Sequence, residues 1–170
     1  MNELEEWSNE CLSVFPEIKR KKIAISYKKI TAKRLGYVSA KIEKEIDFDA
    51  EALLLGEDIN IKEKKKKPKE FKIFINDRFE NIKNTALRRQ IVQYVIIHEL
   101  LHIANDNLFT LSKEFNRRKK KKIHINDFDE DVFIRFNKLR ESKGIMQIEK
   151  RKHLDMAIQR ILESIGWFKK

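Results

Sequence analysis

Residues 71–105 read FKIFINDRFENIKNTALRRQIVQYVIIHELLHIAN, and this stretch decides the fold. Its first six residues, FKIFIN, put hydrophobic side chains at alternate positions, which predicts a strand that ends at Asn76-Asp77. The second half, residues 86–105, contains no Gly or Pro and is dense in Ile, Val and Leu. That composition predicts a long helix, which we expect to be capped at Asn84-Thr85 and to end at Asn105.

The end of this predicted helix carries the sequence His98-Glu99-Leu100-Leu101-His102, an H-E-x-x-H pattern. Positions i and i+4 of a helix lie on the same face, so both imidazoles can reach one Zn²⁺ ion and Glu99 can reach a water beside it. The pattern predicts a zinc hydrolase, first of all a metallopeptidase, with His98 and His102 as metal ligands and Glu99 as general base. Both histidines must be neutral to bind, so activity is expected to collapse at acid pH.

A buried helix whose two histidines satisfy backbone carbonyls is the alternative to a zinc site. It gives no reason for an acid to stand between two stacked histidines, so we favour zinc.

Length and composition limit the class of protein. A chain of 170 residues with 41% hydrophobic residues can bury the core of one domain. The apolar run IVQYVII is too short to span a membrane, and the acidic start MNELEEWSNE is not typical of a signal peptide. A single cysteine, Cys11, cannot form an internal disulfide and fits a reducing compartment. We therefore expect a cytoplasmic protein with no membrane partner.

The formal net charge of +11 is concentrated in runs such as Lys64–Lys67 and Arg117–Lys122. Such runs could bind nucleic acid non-specifically or contact an acidic partner. The alternative is a lysine-rich composition carried by solvated loops, and charge alone favours that alternative.

Hydrophobic periodicity divides the chain into four parts. The first, residues 1–70, predicts a helix over 3–15, strands over 23–27 and 37–42, and a loop or short hairpin over 47–70. Residues 71–105 hold the strand and the helix described above. Residues 106–145 predict two further helices, one beginning near Ser112 and one near Asp127 or Asp129, and the second has an apolar stripe formed by Phe128, Val132, Phe136 and Leu139. Residues 146–170 predict a C-terminal amphipathic helix, and our hypothesis is that this helix keeps the peptidase latent. Strands before one central helix and helices after it indicate an α+β fold.

The segment FKIFINDRFENIKNTALRRQIVQYVIIHELLH resembles the core of small zincins of the SprT-like and WLM/YgjP-like groups. In those proteins an edge strand of the form I-x-I/L-N-x-x-L/F precedes a helix that reads Y-V-V-x-H-E-L-x-H. The matching positions are Ile73, Ile75, Asn76, Phe79, Tyr94, Val95, His98, Glu99, Leu100 and His102. The resemblance covers roughly residues 33–105 and implies a zincin-like fold with a short, mainly antiparallel sheet; together with the chain length it predicts a single zincin-like domain over residues 1–170. It also implies that Phe71–Ile75 is an edge strand along which a peptide or protein substrate binds by β-addition.

A third zinc ligand is expected, because a catalytic zinc takes three protein ligands and a water. The resembling families supply a histidine shortly after the motif, but LSKEF has Leu111 in that place. Minigluzincins, which are similar to this chain in size, take a Glu from a downstream helix.

Among the downstream residues we rank Glu130 first, because it shares a predicted helical face with Phe133, Ile134 and Asn137, where an unpaired carboxylate is costly. Glu114 is the alternative, and His124 or Asp127 ranks below it. The competing role for Glu130 is favourable interaction with the helix dipole in the first helical turn.

Two functions from different classes follow from these observations. The first is a zinc metallopeptidase in which Tyr94, Asn105 or Arg135 donates to the oxyanion. The alternative is a basic, nucleic-acid-associated protein, which the SprT-like resemblance and the charge both suggest.

Overall fold

The structure is a computed structural model, and it describes residues 2–31, 34–40, 44–47, 62–65, 68–105 and 127–168, with the backbone alone for 44–47 and 62–65. Helices and strands both occur within these residues, which confirms the α+β class. The helices are α1 (Glu3–Ser13), α2 (Thr85–Ala104), α3 (Phe128–Ser142) and α4 (Arg151–Ser164). The strands are β1 (Lys22–Lys28), β2 (Gly36–Ala40), β3 (Lys44–Asp47), β4 (Lys62–Lys65) and β5 (Glu70–Asn76). The predicted helix beginning at Ser112 lies outside the described residues.

Strand β5 lies in the middle of a three-stranded sheet of order β1-β5-β2. It pairs in parallel with β1 over seven positions and antiparallel with β2 over five. Two expectations were therefore wrong: Phe71–Ile75 is a central strand and not an edge strand, and the sheet is mixed and not mainly antiparallel. The backbone of β5 bonds to a neighbour on each side, so it has no free edge for a substrate.

Strands β3 and β4 form a separate antiparallel pair, with Lys44 opposite Lys65 and Asp47 opposite Lys62. Of the two strands, only β4 lies fully within residues 47–70, where a loop or short hairpin was expected; its partner β3 ends at Asp47, so the pairing begins before that segment. The residues between the two strands, 48–61, lie outside the described part of the chain.

Helix α2 runs through the centre of the molecule. It packs against β2 and β5 on one side and against α1, α3 and α4 on the others. Most of its residues from Ile91 onward are buried, which explains why IVQYVII lacks the polar face of a surface helix. Its first turn is capped by the Asn84 Oδ1 atom, which accepts the Leu87 backbone N–H at 3.1 Å, and Asn105 is its C-cap residue. The predicted bounds of this helix are confirmed.

The C-terminal helix is shorter than predicted, because residues 145–150 take a non-helical path. The buried Asn137 side chain fixes this path: its Nδ2 donates to the Ile148 carbonyl and its Oδ1 accepts the Ile148 N–H, both at 2.8 Å. Helix α4 then buries Leu154, Ile158, Ile161 and Leu162 in the core. Among the described helices, we find none with the length and apolarity needed to cross a membrane.

Candidate metal centre

The two histidines of the motif lie on consecutive turns at the end of α2. Their ring centroids are 5.1 Å apart and the rings are nearly perpendicular, at 77°. His102 is buried and His98 is partly buried. The structure therefore brings the two predicted ligands together on one face of the helix, as the i, i+4 spacing requires.

Glu99 points from the same turn towards β2. Its side chain is buried, at 7% exposure, and its carboxylate accepts the backbone N–H of Val38. Burial raises the pKa of the Glu99 carboxyl to about 7, although the Val38 hydrogen bond and the positive charge of Arg34 act in the opposite direction. A carboxyl with this pKa exists in both protonation states near neutral pH, so it can accept a proton and return it.

Gly36 allows β2 to approach α2 closely. A Cβ atom at this position would lie 2.6 Å from Val95 Cγ1 and 2.9 Å from the Phe74 carbonyl oxygen. The approach brings the Val38 N–H within reach of Glu99. Buried Asn76 supports the entry to β2, because its Nδ2 donates to the Arg34 carbonyl at 3.0 Å. A glycine inside a strand pattern is the sequence signal for such a contact.

Aromatic rings surround the two imidazoles. Phe128, the first residue of α3, stacks on His102 with ring centroids 4.5 Å apart and meets His98 edge-on at 5.0 Å. Tyr94, one turn before His98, lies 6.4 Å from it between centroids, and Phe136 lies 6.5 Å from Tyr94. The sequence predicts Phe128 only as part of the apolar stripe of α3, and it gives no sign of the contact with the histidines because Phe128 belongs to no motif.

The three predicted oxyanion donors differ in how well the structure suits them to that role. Burial, followed by the negative charges of Asp155 and Asp129, raises the pKa of Tyr94 to about 12, so its phenol keeps a proton to donate. Arg135 was a wrong choice, because its guanidinium donates to Glu17 at 2.6 Å and to the Val14 carbonyl. Asn105 is the C-cap residue of α2, which agrees with the predicted end of this helix.

Glu130 lies in the first turn of α3 and is exposed. Ile134, which was expected to form an apolar face with it, is 53% exposed, while the buried face of α3 runs through Val132, Phe136 and Leu139. The burial argument for Glu130 was therefore wrong, and its role as a ligand stays a prediction. Within the described part of the chain, no three His, Cys, Asp or Glu side chains are grouped so as to hold a metal.

Of the other third-ligand candidates, one lies within the described residues and two lie outside them. Asp127 is exposed and is the N-cap residue of α3. Glu114, His124 and the Arg117–Lys122 run lie outside the described residues, and of the Lys64–Lys67 run only the backbone of Lys64 and Lys65 is described.

Comparisons with known proteins do not place the chain in a family. No protein-family model, no curated protein and no solved structure matches it. The zincin resemblance therefore stays a prediction.

Proposed function

We propose that this protein is a zinc-dependent metallopeptidase in which His98 and His102 bind the metal and Glu99 is the general base. The observation that carries the proposal is a pair of adjacent imidazoles, 5.1 Å apart between ring centroids, on the same helical turns as the buried Glu99 carboxyl, whose pKa is raised to about 7. Imidazole nitrogens on consecutive helical turns fit a Zn²⁺ ion, which prefers nitrogen, sulfur and carboxylate ligands. Glu130 and Glu114 remain the proposed sources of a third bond.

When bound, Zn²⁺ supplies a Lewis acid that lowers the pKa of water and stabilises negative charge on the scissile carbonyl oxygen. Glu99, as the carboxylate, accepts a proton from the attacking water and then donates it to the leaving amine. The Val38 N–H fixes the orientation of this carboxylate. Tyr94 keeps its phenolic proton beside His98 and offers a hydrogen bond to the developing oxyanion.

We further propose that the peptide substrate binds along β2. Among the described strands of the three-stranded sheet, β2 and β1 are at the edges, and β2 is the edge that packs on α2. An extended peptide that adds to β2 would pass beside Val38 and therefore beside Glu99. This assignment replaces Phe71–Ile75 with residues 36–40 as the strand that borders the substrate.

Hydrolysis of a quenched fluorescent peptide mixture, measured on preparations of known zinc content, tests the proposal. Glu99→Gln is expected to keep its zinc and to lose at least about a hundredfold in rate, because the proton acceptor is gone. The matched control is Glu141→Gln, which changes an exposed carboxyl near the end of α3 and should keep the full rate. Zinc-loaded Glu99→Gln protein that hydrolyses peptides at the wild-type rate would refute the assigned role.

A second candidate function, binding of single-stranded nucleic acid, is favoured by the outer face of the sheet. The described helices pack on the opposite face, against the side that carries Ile73 and Ile75. On the outer face the rings of Tyr37 and Phe74 lie 5.0 Å apart, and Lys28 Nζ lies 4.5 Å from the Phe74 centroid.

Two more lysines, Lys22 and Lys72, line a cavity of about 600 Å³ at the end of the sheet where β1 and β5 begin, together with Glu70, whose carboxylate pairs with Lys22 Nζ at 3.1 Å. Aromatic rings flanked by cations suit stacked bases and their phosphates.

Fluorescence anisotropy with a labelled oligothymidine tests this second candidate. Each phosphate contact that is lost should reduce the slope of log K against log salt by roughly 0.7. Lys72→Gln is expected to reduce the slope, whereas Lys138→Gln, an exposed lysine on α3, should leave it unchanged. Equal effects of the two substitutions would mean that the net charge alone drives binding.

A further inference from the structure

We propose that Phe128 is a positioning residue that holds the His98 and His102 imidazoles in the orientation needed for metal binding. This inference rests on the proposed zinc site, and it assigns a function to a residue outside the H-E-x-x-H motif.

The geometry of three rings supports the proposal. The Phe128 ring lies 4.5 Å from the His102 ring at 30° and 5.0 Å from the His98 ring at 70°, while the two imidazoles are themselves 5.1 Å apart. Each ring therefore contacts the other two. Rotation of either imidazole would break its contact with the phenyl ring as well as with the other histidine.

Such a constraint is needed because the χ2 torsion of a histidine is soft. Torsions between an sp³ and an sp² carbon have broad minima, so the helix backbone fixes the position of an imidazole but not its rotation. Two nitrogens must nevertheless point at one ion. A phenyl ring has no donor or acceptor, so it can press on both imidazoles without competing for their nitrogens.

Phe128 is itself held in place by the core. It is 3% exposed, and it begins helix α3, whose Val132 and Phe136 are buried against the rest of the molecule. A rigid side chain in contact with two metal ligands restricts their rotation before the metal binds, so metal binding costs less side-chain entropy. Its loss should therefore lower metal affinity by more than the loss of core packing alone explains.

Zinc affinity, measured by competition with a chromophoric chelator, tests the proposal. Phe128→Ala is expected to weaken zinc binding by about 10- to 100-fold, the usual effect of losing a residue that orients metal ligands. Phe128→Leu, which keeps apolar bulk against both imidazoles, should recover most of the affinity. The same order should appear in the visible absorption of the Co²⁺-substituted proteins, because Co²⁺ bands report ligand geometry.

Phe136→Ala is the matched control. It removes a ring of the same size from the same helix, and that ring packs near Tyr94. Both alanine variants should lose similar thermal stability, but Phe136→Ala should bind zinc within about twofold of wild type. Should Phe128→Ala fail to fold, Phe128→Leu still tests the claim, because leucine fills only part of the space of the phenyl ring: its zinc affinity should lie below that of wild type by less than about tenfold, and an affinity equal to that of wild type would count against a role for the ring.

The possible failures can be told apart. If the wild-type protein binds zinc and Phe128→Ala binds it with the same affinity, this inference is overturned and the proposed zinc site stands. Equal weakening in Phe128→Ala and Phe136→Ala would also overturn it, since general destabilisation would then explain the effect. A wild-type protein that binds no zinc at micromolar concentration would overturn both proposals together.

Discussion

Replacing Glu99 by glutamine should stabilise the metal-free protein at neutral and alkaline pH. The pKa of the Glu99 carboxyl is raised from 4.5 to about 7 in the folded protein, mainly by burial. The folded state therefore holds this proton more tightly than the unfolded state does. The resulting stability is fully present below pH 4.5 and is lost as the pH rises through 7. Glutamine imitates the protonated carboxyl at every pH, so it removes this loss.

The shift in the pKa sets the size of the effect. At about 1.4 kcal/mol per pKa unit, the wild-type protein should lose on the order of 3 kcal/mol between its acid limit and pH 8. Glu99→Gln should therefore be more stable than wild type by about 3 kcal/mol at pH 8 and by about 1 kcal/mol or less at pH 5.

Urea denaturation in the presence of a chelator, carried out at both pH values, measures this difference. The urea midpoint of the variant should lie on the order of 1–2 M above that of wild type at pH 8, and the two midpoints should converge at pH 5. Glu141→Gln, at an exposed site, should show no such pH dependence. A Glu99→Gln protein that is less stable than wild type at pH 8 would refute the reasoning that burial raises this pKa.

Three further predictions concern the framework of the site. Gly36→Ala should lower the free energy of unfolding by about 1–3 kcal/mol, because its Cβ would lie 2.6 Å from Val95 Cγ1; an unchanged thermal midpoint would contradict the close approach. The Glu10 carboxylate accepts hydrogen bonds from Arg89 and Gln93, and its Oε1 atom forms an ion pair with Lys143 Nζ at 2.6 Å. Burial would raise the pKa of the Glu10 carboxyl, but these partners outweigh burial and lower the pKa. Glu10→Gln should therefore reduce the free energy of unfolding by about 1–3 kcal/mol at pH 7 and by less below pH 4.5. Urea unfolding at the two pH values measures this difference. Deletion of residues 149–170 should abolish cooperative unfolding by circular dichroism, because it removes four buried aliphatic side chains of α4 that contribute about 1.5–3 kcal/mol each. A truncated protein that unfolds cooperatively and has higher peptidase activity than the full chain would instead support the hypothesis that this segment keeps the peptidase latent.

Features set by local sequence were predictable. The bounds of α2 follow from Asn84, Asn105 and the unbroken apolar run between them. The meeting of His98 and His102 follows from helical geometry alone. Both need interactions only between residues a few positions apart, so a single sequence contains the necessary information.

Features set by pairing between distant segments were not predictable. The alternation in FKIFIN indicates a strand, but it does not show whether one or two neighbouring strands pair with it. The parallel partner β1 is distant in sequence: Lys22 pairs with Glu70, which lies 48 residues later. The contacts of Phe128 with the imidazoles and of Val38 with Glu99 are of the same long-range kind. The predicted stripe of α3 through Phe128, Val132, Phe136 and Leu139 is the buried one, as helical spacing alone indicates. The second apolar face, which was expected to include Glu130, is exposed at Glu130 and Ile134, because helical spacing does not tell which of two apolar faces meets a distant part of the chain.

The most direct test of the central claim is the zinc content of the purified protein and its histidine variants after reconstitution with Zn²⁺. We predict a single zinc ion per chain in the wild type and in Glu99→Gln, and loss of that zinc in His98→Ala and in His102→Ala while both variants stay folded. A wild-type chain that retains no zinc, or histidine variants that retain it fully, would contradict the assignment of this helix as a metal site.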